Sequence, residues 1–145
     1  AGGRRCESHH HWPDSKPLGS RHRRTGRKRR CGWLDLVALR YAIHLSGVTQ
    51  LMMMKADVLD SFKEIKVCVA YEKDGERTES MPYDTEGWAP VYETLPGWNC
   101  DLTGVRAEAD FPKEYVDYIA YLEKQLATPI SILSVGPERD ATIIR

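Results

Sequence analysis

Residues 25–30, Thr-Gly-Arg-Lys-Arg-Arg, set four cations beside a hydroxyl and a flexible glycine. Such a loop suits several phosphates or carboxylates, because guanidinium forks pair bidentately with either and backbone amides add donors. A solvated surface loop or a general attraction to nucleic acid fits the same charges. Lys55-Ala56-Asp57 follows the apolar run Gln-Leu-Met-Met-Met. An aspartate at the end of a buried strand can accept hydrogen bonds from N1 and the 2-amino group of guanine, a pair of donors that adenine does not offer, while the lysine stem covers the base. Open α/β sheets bind ligands at such carboxyl ends, although a surface Lys and Asp two apart also explain the triplet. Ser134-Val135-Gly136-Pro137 closes a second apolar run; its amides and hydroxyl can meet a base carbonyl or simply form the turn.

Other polar groups carry less. His9, His10 and His11 with Cys6 have metal-binding donors but no closing ligands at a defined spacing. His44 reads as an ordinary helix residue and Met52, Met53 and Met54 as core filling. Cys6, Cys31, Cys68 and Cys100 lack C-x-x-C spacing, which favours reduced thiols, with Cys68 a small buried hydrophobe in Lys-Val-Cys-Val-Ala-Tyr.

The elements that must position these groups follow from periodicity. Residues 33–46 carry Leu36, Val37, Leu39, Tyr41 and Ile43 at helical spacing before Gly47, a left-handed stop. Residues 50–55 suit a short buried strand leading into a helical turn. Residues 64–72 read as a strand, Asp74-Gly75 as a hairpin turn, and the following residues as a more polar return strand. From Asp84 to Leu102, prolines and glycines punctuate Trp88, Tyr92 and Trp98, which predicts a packed loop with aromatic anchors. Asp110-Phe111-Pro112 predicts an N-cap and first turn for a helix over 112–126, with Tyr115, Ile119, Leu122 and Leu126 on one face. A strand over 129–135 and a last one near Thr142, Ile143 and Ile144 complete an α/β pattern with an incomplete sheet, helices and a β-hairpin.

The chain has 145 residues, with 21 Lys plus Arg against 21 Asp plus Glu. The balance hides an asymmetry: residues 1–31 hold ten of the cations and two acids, four of the five histidines, and almost no aliphatic side chains. That segment cannot bury enough surface to offset its ordering entropy and is expected to be loose. No apolar run reaches the roughly 18 residues of a membrane span, and no signal-like apolar core follows the start, so the cytoplasm is the expected compartment.

Taken in order, TGRKRRCGWLDLVALRYA, MKADVLDSFKEIKVCVAY, PVYETLPGW and SVGPERDATI resemble the carboxyl-terminal part of the adenylosuccinate synthetase family, over about residues 25–145. The resemblance implies part of a P-loop-type nucleoside triphosphate hydrolase-like fold. It implies a ligase that joins IMP to L-aspartate with GTP: GTP phosphorylates the 6-oxygen of IMP, and the aspartate amine displaces that phosphate to give adenylosuccinate. On this footing Thr25, Gly26, Arg27, Lys28 and Arg29 belong to the aspartate loop, Arg27 also reaches IMP, and Arg29 reaches GTP phosphate. Lys55, Ala56 and Asp57 recognise guanine, and Ser134, Val135 and Gly136 line the same base pocket. The intact family enzyme is expected to be a homodimer that uses Mg2+, without nucleic-acid or membrane partners.

Two departures stand out. His22, Arg23 and Arg24 occupy places where the family has a glycine, a small residue and a threonine, and residues 1–24 have an Arg, His, Gly and Ser bias foreign to it, as an out-of-frame or vector-derived translation would give. The family's glycine-rich phosphate loop, magnesium ligand, aspartate base and histidine acid lie in an amino-terminal half absent from this sequence. The expectation is a substrate-gripping portion with no catalytic residue and no synthetase activity of its own. The competing expectation is a basic module for nucleic acid or another polyanion, built on residues 4–30.

Overall fold

The computed structural model describes residues 32–136 and 138–145, together with the backbone of 19–21 and 28–30. In chain order the elements are β1 (Gly19–Arg21), β2 (Lys28–Arg30), β3 (Leu34–Asp35), α1 (Leu36–Ser46), β4 (Leu51–Met53), β5 (Glu64–Lys73), β6 (Glu76–Thr78), β7 (Ala89–Pro96), α2 (Lys113–Leu126), β8 (Ile130–Ser134) and β9 (Thr142–Ile144). Single 3-10 turns cover Ala56–Leu59, Glu108–Asp110 and Arg139–Ala141.

The first helix starts three residues later than its periodicity suggests, because Leu34 and Asp35 pair in parallel with Val67 and Cys68 of β5. Asp35 is then the N-cap, accepting from the Ala38 amide at 3.0 Å, and its other oxygen accepts from the Tyr71 hydroxyl. Gly47, at φ 61°, ends the helix through its amide to the Ile43 and His44 carbonyls. Leu36, Val37 and Ile43 are buried, whereas Tyr41, expected on the apolar stripe, is exposed. His44 is exposed, as expected of an ordinary helix residue, and its Nδ1 donates to Arg40 O at 2.8 Å.

β5 is the spine of one sheet. β3 and β6 lie along one of its edges, and β7 pairs antiparallel along the other from Glu64↔Pro96 to Glu72↔Ala89. Asp74 and Gly75, both at positive φ, make the turn into β6. The loop expected over 84–102 is corrected: residues 89–96 form a strand. Its prolines misled the reading because β7 pairs only with β5 among the described residues, and a sheet edge tolerates proline where a central strand does not. Cys68 is buried and free, while Cys100 is disulfide-bonded, which corrects the expectation of reduced thiols at that position.

The second sheet has the order β4-β8-β9, with β4 parallel and β9 antiparallel to β8. Met53, Leu133 and Ile143 form one row across it; Leu133 and Ile143 are buried and Met53 is packed against the core. Met52, Ile132 and Ile144 form the row on the opposite face, where Met52 is 62% and Ile144 78% exposed. Of the three methionines expected to fill core, only Met53 does so, since strand alternation turns Met52 outward and Met54 lies past the strand, also exposed.

α2 covers the inner face with Tyr115, Tyr118, Ile119, Leu122 and Leu126, all buried. Its start differs from expectation: Pro112 is the N-cap, without a side-chain hydrogen bond, and Asp110 belongs to the preceding 3-10 turn. Ala127, at φ 49°, ends it. Arg145 Nη1 binds Glu123 at 3.0 Å and the Ile130 carbonyl at 3.1 Å, and Glu123 accepts from the Ile130 amide at 2.7 Å, fastening β8 to α2. No described helix is long and apolar enough to cross a membrane.

Candidate functional site

Met53 and Leu133 are register partners on adjacent parallel strands, so the segments that follow them leave the sheet side by side. After β4, Lys55 adopts a left-handed backbone at φ 60°. For a residue with a Cβ this costs about 1 kcal/mol, and such conformations concentrate at ligand sites. Ala56 is buried and starts the 3-10 turn, and Asp57, next in that turn, has one carboxylate oxygen, Oδ1, buried and without a hydrogen-bond donor among the described residues. A buried acceptor left unpaired is expensive and asks for a reason.

After β8, the buried Ser134 donates its hydroxyl to Gly136 O at 3.2 Å, and the Val135 amide donates to Ala141 O at 3.0 Å. A Cβ on Gly136 would sit 3.1 Å from that of Ala141, so the turn is tight. The two triplets singled out in the sequence, Lys55–Asp57 and Ser134–Gly136, thus emerge at neighbouring carboxyl ends of a parallel pair, where open α/β sheets take ligands.

The first of these turns is tied down at both ends. On its amino side the Tyr115 hydroxyl reaches Met53 Sδ at 3.8 Å. On its carboxyl side Asp60 accepts from Trp98 Nε1 through one oxygen and from the Leu102 amide through the other, both at 2.8 Å. Trp98 and Tyr115 meet edge to face, with centroids 4.9 Å apart, and Phe111 and Tyr118 complete the aromatic cluster. Gly97 fits only because it lacks a side chain: a Cβ there would lie 2.1 Å from the Phe62 carbonyl oxygen, and its amide donates to Lys63 O at 2.8 Å. Burial, aided by the nearby Asp101 and Asp57, pushes the Asp60 carboxyl up to about 6 against the opposing hydrogen bonds of Trp98 and Leu102.

Of the remaining expected site residues, Thr25, Gly26 and Arg27 lie outside the described residues, as do Cys6 and His9 to His11. Lys28 and Arg29 fall on β2, opposite Arg21 and Ser20 of β1. Among the described residues no three His, Cys, Asp or Glu converge to hold an ion. Sequence reasoning missed Asp60, Gly97 and Trp98 as neighbours of the site. The available signal was the compact Pro-Gly-Trp punctuation of the aromatic segment, whose partner cannot be read from spacing.

The family model of adenylosuccinate synthetase matches residues 18–143. The chain is 64% identical over 122 residues to the adenylosuccinate synthetase of Porphyromonas gingivalis and 58% to that of Phocaeicola vulgatus, in each case over 83% of this chain and 29% of the relative. The chain therefore spans less than a third of the length of these curated relatives. Among solved structures, a fully ligated adenylosuccinate synthetase from Plasmodium falciparum superposes with a TM-score of 0.78 at 35% identity, covering 83% of this chain and 30% of that one. The mixed α/β architecture with open sheets is thus a portion of that enzyme's P-loop-like nucleotide-binding fold. The order of motifs, the strand-end turns and these matches agree, and the chain belongs to the adenylosuccinate synthetase family.

Proposed function

We infer that this chain carries the guanine-reading part, and a share of the substrate-gripping part, of a GTP-dependent ligase that joins IMP to L-aspartate. The observation that supports this most is the unpaired, buried Asp57 Oδ1 beside the Ser134–Gly136 turn. Two donors on the guanine edge would satisfy the Asp57 carboxylate, and adenine, which lacks that donor pair, would leave it unpaired, so the discrimination comes from hydrogen bonding rather than shape. The Lys55 stem covers one face of the base, Ala56 closes the floor, and Ser134, Val135 and Gly136 line the far side. Thr25, Gly26, Arg27, Lys28 and Arg29 grip the aspartate carboxylates, with Arg27 shared with IMP and Arg29 with the GTP phosphates. Arginines suit both tasks because paired carboxylates and phosphoryl oxygens accept two parallel N–H bonds. In the intact homodimeric enzyme, magnesium and the groups that move protons come from elsewhere in the polypeptide, so this stretch alone turns nothing over.

The test has two arms. Calorimetric or NMR titration of the chain should detect GDP and not ADP at equal concentration, and Asp57→Asn should abolish the difference. A coupled assay with IMP, L-aspartate and GTP should give no aspartate-dependent product. Equal binding of both nucleotides would overturn the guanine assignment, and measurable turnover would overturn the division of labour.

A further inference from the structure

Asp60 is a partly buried carboxylate with no cation paired to it among the described residues and two acids, Asp57 and Asp101, close enough to repel it. Stability alone gives little reason to keep such a group, since replacing buried charge with neutral packing is often harmless or favourable. What the carboxylate supplies is a fork: two acceptors on one rigid plane, one taken by the Trp98 indole and the other by the Leu102 amide. An asparagine has the same shape but only one acceptor, and its amide would face a donor with a donor.

The fork sits three residues beyond Asp57, where the 3-10 turn is capped and the Asp60 amide itself donates to Asp57 O at 3.2 Å. The other end of the turn is held by Met53 and Tyr115, and Tyr115 packs on Trp98. Both ends of the segment from Met53 to Asp60 are therefore anchored to one aromatic pair, and Gly97 lets that anchor approach to backbone contact at Phe62. The left-handed Lys55 lies inside this closed circuit, where its strain is held by surroundings that over-determine it.

We propose that Asp60 is a positioning residue for base recognition, clamping the turn that bears Asp57 to Trp98 and Leu102 so that the Asp57 carboxylate is pre-oriented toward a guanine edge. The proposal rests on the guanine reading above. Preorganisation of this kind acts on ligand affinity and selectivity beyond its effect on folding.

The experiment uses the 15N-labelled chain, with GDP and ADP as probes, comparing wild type, Asp57→Asn, Asp60→Asn, Asp60→Glu and Trp98→Phe, each first checked by urea unfolding and circular dichroism. In the folded Asp60→Asn chain, without ligand, the Trp98 indole and the Ala56 and Asp57 amide resonances should move while those of β7 stay, and GDP affinity should fall about tenfold. Trp98→Phe, which removes the indole donor and part of the ring but leaves the Leu102 amide on the fork, should weaken GDP binding by less. Asp60→Glu, which restores the fork on a longer stem, should recover part of the loss and serves if Asp60→Asn does not fold. If wild type prefers GDP, Asp57→Asn removes the preference, and Asp60→Asn, or Asp60→Glu in its place, binds GDP as wild type does, the positioning role is overturned and the guanine reading stands. If wild type does not distinguish GDP from ADP, both fall together.

Discussion

Leu133 lies directly opposite Met53 across a parallel strand pair, and that one register relationship brings the turns at Lys55 and Val135 out at the same end of the sheet. A shift of one residue would exchange Met53 for Met52 and turn the buried row to the outside.

Gly97→Ala should be among the most damaging single substitutions in the chain. The added methyl would meet the Phe62 carbonyl, which is backbone and cannot rotate away. A loss of about 3 kcal/mol in urea-unfolding free energy is expected, at the upper end of ordinary overpacking. The Trp98 indole resonance should report the displacement.

Lys55 inverts the usual order of alanine and glycine. At φ 60° a glycine is unstrained, so Lys55→Gly should be more stable than Lys55→Ala by about 1 kcal/mol, although glycine normally weakens structured positions. Paired denaturation curves for the two variants decide it. Both should lose affinity for GDP, since neither keeps the stem.

At the end of α2 the same reasoning gives a stabilising change. Ala127 is left-handed at φ 49°, in the place where helices favour glycine. Ala127→Gly should raise the midpoint of thermal unfolding, with a gain of about 1 kcal/mol less the entropy that glycine adds to the unfolded chain.

Asp60 also sets a pH signature. Its folded-state value of about 6 exceeds the ordinary carboxyl value of 3.8, so the folded chain holds that proton more tightly than the unfolded one. The stability contributed by this group is full below pH 3.8 and is lost as pH rises through about 6. Stability measured for wild type minus that for Asp60→Asn should therefore increase as pH falls from 7 to 4. A difference that is flat over this window would contradict the assignment.

Much of this architecture is legible in the amino-acid sequence. Gly47 and Asp74-Gly75 fixed where elements stop, because local backbone preference decides such points. Leu122 and Leu126 marked the buried face of α2 because periodicity alone specifies it. β7 was not legible: whether Pro90 and Pro96 are tolerated depends on which edge of β5 they occupy, a fact of pairing. Lys55–Asp57 and Ser134–Gly136 were legible as strand ends, and the parallel register made them neighbours. Asp60 was silent for the same reason as β7: its partners, Trp98 and Leu102, lie about forty positions away.

The outward row of Met52, Ile132 and Ile144 has a practical consequence. The second sheet is greased on the side that α2 leaves bare, and β4 offers an edge with no neighbour among the described residues. Purified by itself, this polypeptide should self-associate as concentration or sulfate rises, and changing Met52 to lysine should keep it monodisperse without touching the inner core.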